Sequence, residues 1–204
     1  MIALVSRASP RRAPAGQSPA ARPRPLTSAA PGAEIASGST GHPVPLLSLH
    51  TPVGDLSVAE ADGAIVSVDW GWGRDQDETA LLRSAREQLH AYFDGALTEF
   101  DLPLAPEGSP YRQRVWRALL AIPYGATRSY LDIAREAGGS PRSVGGANGA
   151  NPIPIIIPCH RVVATTGIGG YSGGDGPPTK RALLRLETPA GGKAIWENPQ
   201  ATLI

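Results

Sequence analysis

Apolar and polar residues alternate along Leu46–His50, Leu56–Ala59 and Ala64–Trp70, and turn-forming residues separate the runs, at Pro52-Val53-Gly54 and Asp62-Gly63. Short alternating runs bounded in this way predict three strands joined by tight turns. The period then changes. Leu81, Leu82, Ala85, Leu89, Tyr92 and Phe93 recur at helical spacing, which predicts an amphipathic helix from about Glu78 to Phe93. Strands covered by one helix make a small α/β unit. Gly95 to Pro110 reads as a linker, with room for one short strand near Thr98–Leu102.

From Tyr111 onward the pattern is mainly helical. Tyr111–Ile122 puts Val115, Trp116, Leu119 and Leu120 on one face, and Pro123-Tyr124-Gly125 ends it. Tyr130–Ala137 forms a second helix, stopped by Gly138-Gly139. Ser140 is a good N-cap and Pro141 suits the first position of a third helix. That helix runs to about Ala150, because Asn151 precedes Pro152 and is pushed out of the α region; Gly145 and Gly146 weaken it. Two short helices across a glycine turn have a helix-turn-helix outline, which ordinary helix packing also produces. Ile153–Ile157 is β-branched and interrupted by proline, so an extended, buried strand is expected, at an edge or in an irregular crossing. Thr179–Leu186 reads as a closing helix that buries Ala182, Leu183 and Leu186.

Composition changes the picture at the ends. Residues 1–44 are rich in Pro, Ala, Ser, Gly and Arg without an apolar period, which predicts a disordered tail. Its Arg- and Ser-rich, acid-poor start also fits an organelle transit peptide or an over-long translation start. Units at 45–104 and 105–190 and a C-terminal tail at 191–204 complete the division. No apolar run approaches a membrane span or a secretory signal. A single cysteine excludes an internal disulfide, offers no zinc-type pair and fits a reducing, cytoplasmic setting.

Charge is unevenly placed. Residues 45–110 carry three Arg against twelve Asp and Glu, a net of −9, whereas residues 111–187 carry nine Arg and one Lys against four acids, a net of +6. The second half is therefore the one suited to a polyanion, with a solvated basic surface as the plainer alternative.

The lone Cys159 follows the isoleucine run and is followed by His160 and Arg161. Lone cysteines are commonly inert apolar residues. Histidine and arginine beside the thiol instead favour a thiolate, the nucleophilic form. Glu187 either orients the imidazole or is an exposed helix-terminal residue. The loop Thr166–Gly174 lacks a Walker lysine and suits close wrapping of a flat ligand.

Together, Asn151-Pro152-Ile153-Pro154, Pro158-Cys159-His160-Arg161 and Tyr171-Ser172-Gly173-Gly174 resemble the motifs of the O6-alkylguanine-DNA alkyltransferases, the methylated-DNA–protein-cysteine methyltransferases. Arg112-Gln113-Arg114-Val115-Trp116, Ile122-Pro123-Tyr124-Gly125 and Ser129-Tyr130 are similar to that family too, and the likeness covers about residues 45–190. It implies a ribonuclease-H-like α/β domain followed by a mainly helical, winged-helix-like domain with a helix-turn-helix. It also implies a monomer that binds double-stranded DNA containing O6-alkylguanine through the minor groove, with no metal, cofactor or membrane. The alkyl group would pass from guanine O6, with thymine O4 left open as a second target, to Cys159 once per molecule, after the base is flipped out. On the same resemblance His160 takes the thiol proton through a water, Glu187 holds the imidazole and Asn151 supports the turn before the thiol. Tyr130 presses on the phosphate and donates to the base. Val162, Tyr171, Ser172 and Lys180 line the base pocket, and Arg142 fills the gap left by the base, with Gly145 and Ala147 on the DNA face. Arg161 braces the two domains. A non-catalytic relative, a helix-turn-helix regulator and a Cys–His hydrolase are the rivals. The first lacks the cysteine, the second has no use for the Pro-Cys-His-Arg loop, and the third has no use for Arg142 and Tyr130 on a basic face.

Overall fold

The computed structural model describes residues 44–188, so the expected tails lie outside the described residues except for Val44. Strands β1 (Leu46–Leu49), β2 (Leu56–Ala61) and β3 (Ala64–Trp70) form an antiparallel sheet in that order, with Leu47 opposite Val58 and Val58 opposite Val68. Helix α1 (Ala80–Phe93) covers it. The helix begins two residues later than the apolar period suggests because the Thr79 side chain accepts from the Leu82 amide, capping the first turn. Leu49, Leu56, Val58, Ile65 and Val68 meet Leu82, Ala85 and Leu89 in the core, where each large side chain contributes about 1.5–3 kcal/mol by leaving water.

The strand expected at Thr98–Leu102 does not form. Pro103 has no N–H to extend a ladder, and pairing is reduced to one bridge, in which Ile65 donates to the Pro103 carbonyl (2.8 Å) and Ala105 donates to the Ile65 carbonyl (2.9 Å).

Then follow α2 (Pro110–Leu120), β4 (Arg128–Ser129), α3 (Tyr130–Ala137), α4 (Pro141–Gly149) and, after a second two-residue strand β5 (Val162–Val163), α5 (Pro177–Leu186). Ser129 and Asp132 form a capping box on α3, and Ser140 and Ser143 form one on α4. Helix α4 has weak intrinsic propensity, and the buried Trp116 of α2 holds it from outside by donating its indole N–H to the Ala147 carbonyl (2.9 Å). Strands β4 and β5 run parallel, Arg128 opposite Val162 and Ser129 opposite Val163, which brings Tyr130 beside the segment after the thiol.

The isoleucine run is buried as expected but is not a strand. Asn151 closes it into a turn: its Oδ1 accepts from the Ile153 amide (3.0 Å) and its Nδ2 donates to the Ile157 carbonyl (2.8 Å). Within the loop so made, Ile157 donates to the Ile153 carbonyl and Ile155 takes φ = 74°. Pro152 and Pro154 have no ladder donors to offer, so the chain satisfies its polar groups on itself. A single 3-10 turn, Cys159–Arg161, follows at once. Among the described residues no helix is long and apolar enough to cross a membrane.

Candidate active site

Cys159 is a free thiol, 4% exposed, and its peptide is fixed on both sides. Its amide donates to the Ile157 carbonyl (2.8 Å), and its carbonyl accepts from the Asn148 side chain (3.2 Å). Burial pushes the thiol's pKa up. Asn151, the Tyr171 hydroxyl and the charge of Lys180 all lie close enough to pull it back toward the thiolate. The Tyr171 hydroxyl is buried and faces the sulfur without a hydrogen bond of ordinary geometry.

Lys180, on α5, is fully buried. Its ammonium donates to the Val162 carbonyl (2.6 Å) and the Gly170 carbonyl (3.1 Å) and lies 5.8 Å from the centre of the Tyr130 ring. Burial brings its pKa down to about 8, and a negative charge on Cys159 would oppose that.

The next residue, His160, is completely buried, and its Nε2 lies 2.8 Å from Glu187 Oε1. Burial opposes ionisation of Glu187, but the hydrogen bonds and charges of His160 and Arg161 outweigh it and hold the pKa at about 2. An ionised carboxylate only accepts, so Nε2 carries the proton and Nδ1 of the neutral ring keeps its lone pair. Nδ1 is buried and has no hydrogen-bond partner among the described residues. Burial, helped by the charges of Arg161 and Lys180, lowers the imidazole's pKa and keeps the ring neutral near pH 7. The ring is therefore a base, already oriented.

Glu187 is the C-cap of α5 and is 1% exposed, so it is a buried partner rather than a solvated helix end. Arg161 forks onto both its oxygens, Nε to Oε2 and Nη2 to Oε1, each at 2.9 Å, and donates through Nη1 to the Ile122 carbonyl (2.6 Å). Tyr92 of the N-terminal half meets the same carboxylate, its hydroxyl donating to Glu187 Oε1 (2.8 Å), so Arg161 and Tyr92 share one partner. Gly125 donates its amide to Oε2 (3.2 Å) at φ = 75°, where a Cβ would sit 2.8 Å from the Glu187 carbonyl oxygen.

Tyr130, Val162, Tyr171 and Lys180 gather around the thiol, and Ser172 is exposed on the glycine loop beside them. Arg142 is exposed at the start of α4 and Gly145 is half-buried. Ala147 does not belong on the outer face: it is 3% exposed, its side chain packs in the core, and its carbonyl is taken by Trp116. Sequence reasoning missed Asn148, Tyr92, Trp70 and Trp116. Asn148 carried a faint signal as a polar residue one turn before the Asn151 turn. Among the described residues no cluster of three or more His, Cys, Asp or Glu could hold a metal ion.

A lone thiol at the end of a buried turn, beside an arginine-clamped glutamate–histidine pair, in a helical unit joined to a small antiparallel sheet, is the layout of a two-part, cysteine-dependent protein. Residues 110–189 match the 6-O-methylguanine DNA methyltransferase DNA binding domain, and residues 47–106 match the ribonuclease-like domain of the same family. The chain belongs to the methylated-DNA–protein-cysteine methyltransferase family. The relative from Mycobacterium tuberculosis H37Rv is 58% identical over 106 residues, which span 50% of this chain and 63% of that protein. Those of Mycolicibacterium paratuberculosis (44% over 157 residues) and Bacillus subtilis (the constitutive protein, 42% over 152 residues) are matched over 93% and 91% of their lengths, and over 70% and 67% of this chain. The crystal structure of the M. tuberculosis O6-methylguanine methyltransferase superposes with a TM-score of 0.63 at 42% identity, covering 71% of this chain and 92% of that one. The structure of M. tuberculosis OGT in complex with DNA gives 0.66 at 42% identity, covering 74% and 97%.

Proposed function

We propose that this protein repairs alkylated DNA directly, moving a methyl or larger alkyl group from guanine O6 in a duplex to Cys159 Sγ. The observation that carries the reading is the chain's one thiol, buried among Asn151, Tyr171 and Lys180 and followed by a base that Glu187 orients. His160 Nδ1 takes the thiol proton through a water. The thiolate attacks the alkyl carbon, forming the S–C bond as the C–O6 bond breaks. The electron pair passes to the base, which is neutralised by a proton from the Tyr130 hydroxyl, and His160 returns a proton to Tyr130. The thiol's proton therefore ends on guanine, the thioether has no route back, and each molecule reacts once.

The target atom is inside the duplex, so the base is flipped into the space bordered by Tyr130, Val162, Tyr171 and Ser172. Helices α3 and α4 act as a helix-turn-helix on the minor groove, with Arg142 occupying the gap and the basic half of the chain facing phosphate. The division into units at 45–104 and 105–190, action as a monomer and a cytoplasmic location belong to the same reading.

Intact mass after incubation with a duplex carrying O6-methylguanine tests it. One methyl increment is expected, absent in Cys159→Ala. Repeated turnover, or binding without modification, overturns it. Duplexes carrying O4-methylthymine or larger O6-alkyl groups define the substrate range.

A further inference from the structure

Glu187 is a meeting point for three segments distant from it in sequence. Oε1 accepts from the Tyr92 hydroxyl (2.8 Å), His160 Nε2 (2.8 Å) and Arg161 Nη2 (2.9 Å), and Oε2 accepts from Arg161 Nε (2.9 Å) and the Gly125 amide (3.2 Å). A carboxylate oxygen has two lone pairs, so three donors on Oε1 compete, and each limits the charge left for the others. Tyr92 is the donor that comes from α1 and the N-terminal half. Its side chain is completely buried, and its ring is held by Phe93, Phe100 and Tyr124 at centroid distances of 5.3, 5.4 and 6.0 Å.

We propose that Tyr92 is a positioning residue for the transfer: its hydroxyl shares Glu187 Oε1 with His160 and so limits how strongly that oxygen holds the protonated imidazole. The inference rests on the reaction proposed above, in which His160 must be neutral to take the thiol proton. The groups facing the imidazole and its carboxylate are Arg161 from the same turn, Tyr124 and the Gly125 amide from the segment after α2, Lys180 from α5 and Tyr92 from α1. Burial and the two cations oppose the imidazolium, and Glu187 is its one counter-charge in this group. Any donor that draws charge from Oε1 therefore keeps the base free. Through Tyr92 the sheet-and-helix unit takes part in setting the proton relay as well as supporting it.

The test is the rate of methyl transfer against pH for the full chain and for Tyr92→Phe, which keeps the ring and removes the hydroxyl. Without the competing donor Oε1 holds the imidazolium more tightly, so the acid-side midpoint moves up by about half to one pH unit. Above that limb the rate stays within about threefold of the parent. An unchanged or lowered midpoint overturns the proposal, whatever happens to the melting temperature. In the parent protein the Tyr92 hydroxyl proton must shift in NMR spectra with the same midpoint as the His160 ring. A hydroxyl signal indifferent to that titration overturns the proposal even if Tyr92→Phe fails to fold. If no methyl group leaves DNA for either protein, the fault lies with the reaction. The pH profile of iodoacetamide labelling at the lone thiol then compares the two proteins, with the same outcomes decisive.

Discussion

The indole of Trp70 fills the space that a side chain on Gly173 would need: a Cβ there would lie 2.6 Å from Nε1 and 2.9 Å from Cε2. Trp70 ends β3 and Gly173 lies in the glycine loop next to Tyr171 and Ser172, so the sheet of one half sets the approach of the loop in the other. Gly173→Ala is expected to cost about 1–3 kcal/mol of stability through overpacking. Trp70→Leu in the same chain should recover part of that loss. Denaturant unfolding of the two single variants and the double variant reads the coupling; strictly additive losses would show that the two residues do not press on one another.

Stability should fall in two steps as the solution is acidified. The folded state holds both His160 and Glu187 in their deprotonated forms, the first below its usual 6.5 because it is buried and the second at about 2 instead of 4.5. The unfolded chain then binds more protons, so stability rises with pH through each window. His160 contributes in full above about pH 6.5, and its share is lost as pH drops toward the folded value. The share of Glu187 is lost between about pH 4.5 and 2. Urea midpoints measured from pH 7 down to 5 should decline in the parent and stay nearly level in His160→Gln.

Helix α4 carries glycines that its fold does not require. Gly146 is exposed, has no positive φ, and a Cβ on it would meet nothing within 4 Å. Gly146→Ala should therefore stabilise the protein by about 0.5–1 kcal/mol. Helix α4 is the helix proposed to enter the groove, so a methyl group added at this exposed position is expected to hinder its approach to DNA. A higher thermal midpoint together with weaker duplex binding, in melting and titration experiments, is the expected pair of results.

Ile155 is a β-branched residue at φ = 74°, a conformation that costs L-residues roughly 1–2 kcal/mol. It is also 1% exposed, like Ile157 at 0%, so removing either side chain sacrifices a full apolar burial. Glycine at 155 relieves the strain and at 157 relieves none. Ile155→Gly should consequently be the less damaging of the two by about 1–2 kcal/mol in equilibrium unfolding.

Strands β1 to β3 and helices α1 to α5 were legible because local pattern speaks clearly there: alternation in Ala64–Trp70, helical spacing from Leu81 to Phe93, Ser140-Pro141 before α4. Strands β4 and β5 were not, since two residues are too few to show a period. The thiol and its two neighbours were legible as motif chemistry. The isoleucine run misled, because β-branching argues for a strand while Asn151 and two prolines decide for a turn, and the side-chain bonds of Asn151 are invisible to periodicity. Tyr92 read as one more apolar position on α1. Its hydroxyl found a carboxylate 95 positions away, and nothing local encodes a pairing at that separation. Ala147 misled in the opposite sense, since in a run of small residues face assignment depends on Trp116, thirty-one positions earlier.

The parallel pairing of β4 with β5 spans only two residues, yet Tyr130 follows one strand directly and the Cys159–Arg161 turn leads directly into the other. The spacing between the ring and the sulfur is thus written in main-chain hydrogen bonds, which every residue but proline can supply. The pairing itself asks nothing of the side chains at Arg128, Ser129, Val162 and Val163 beyond the absence of proline, whereas one inserted or deleted residue in either strand would change the register. The separation of Tyr130 from Cys159 is in this sense more exposed to changes of length than to changes of side chain in the two strands.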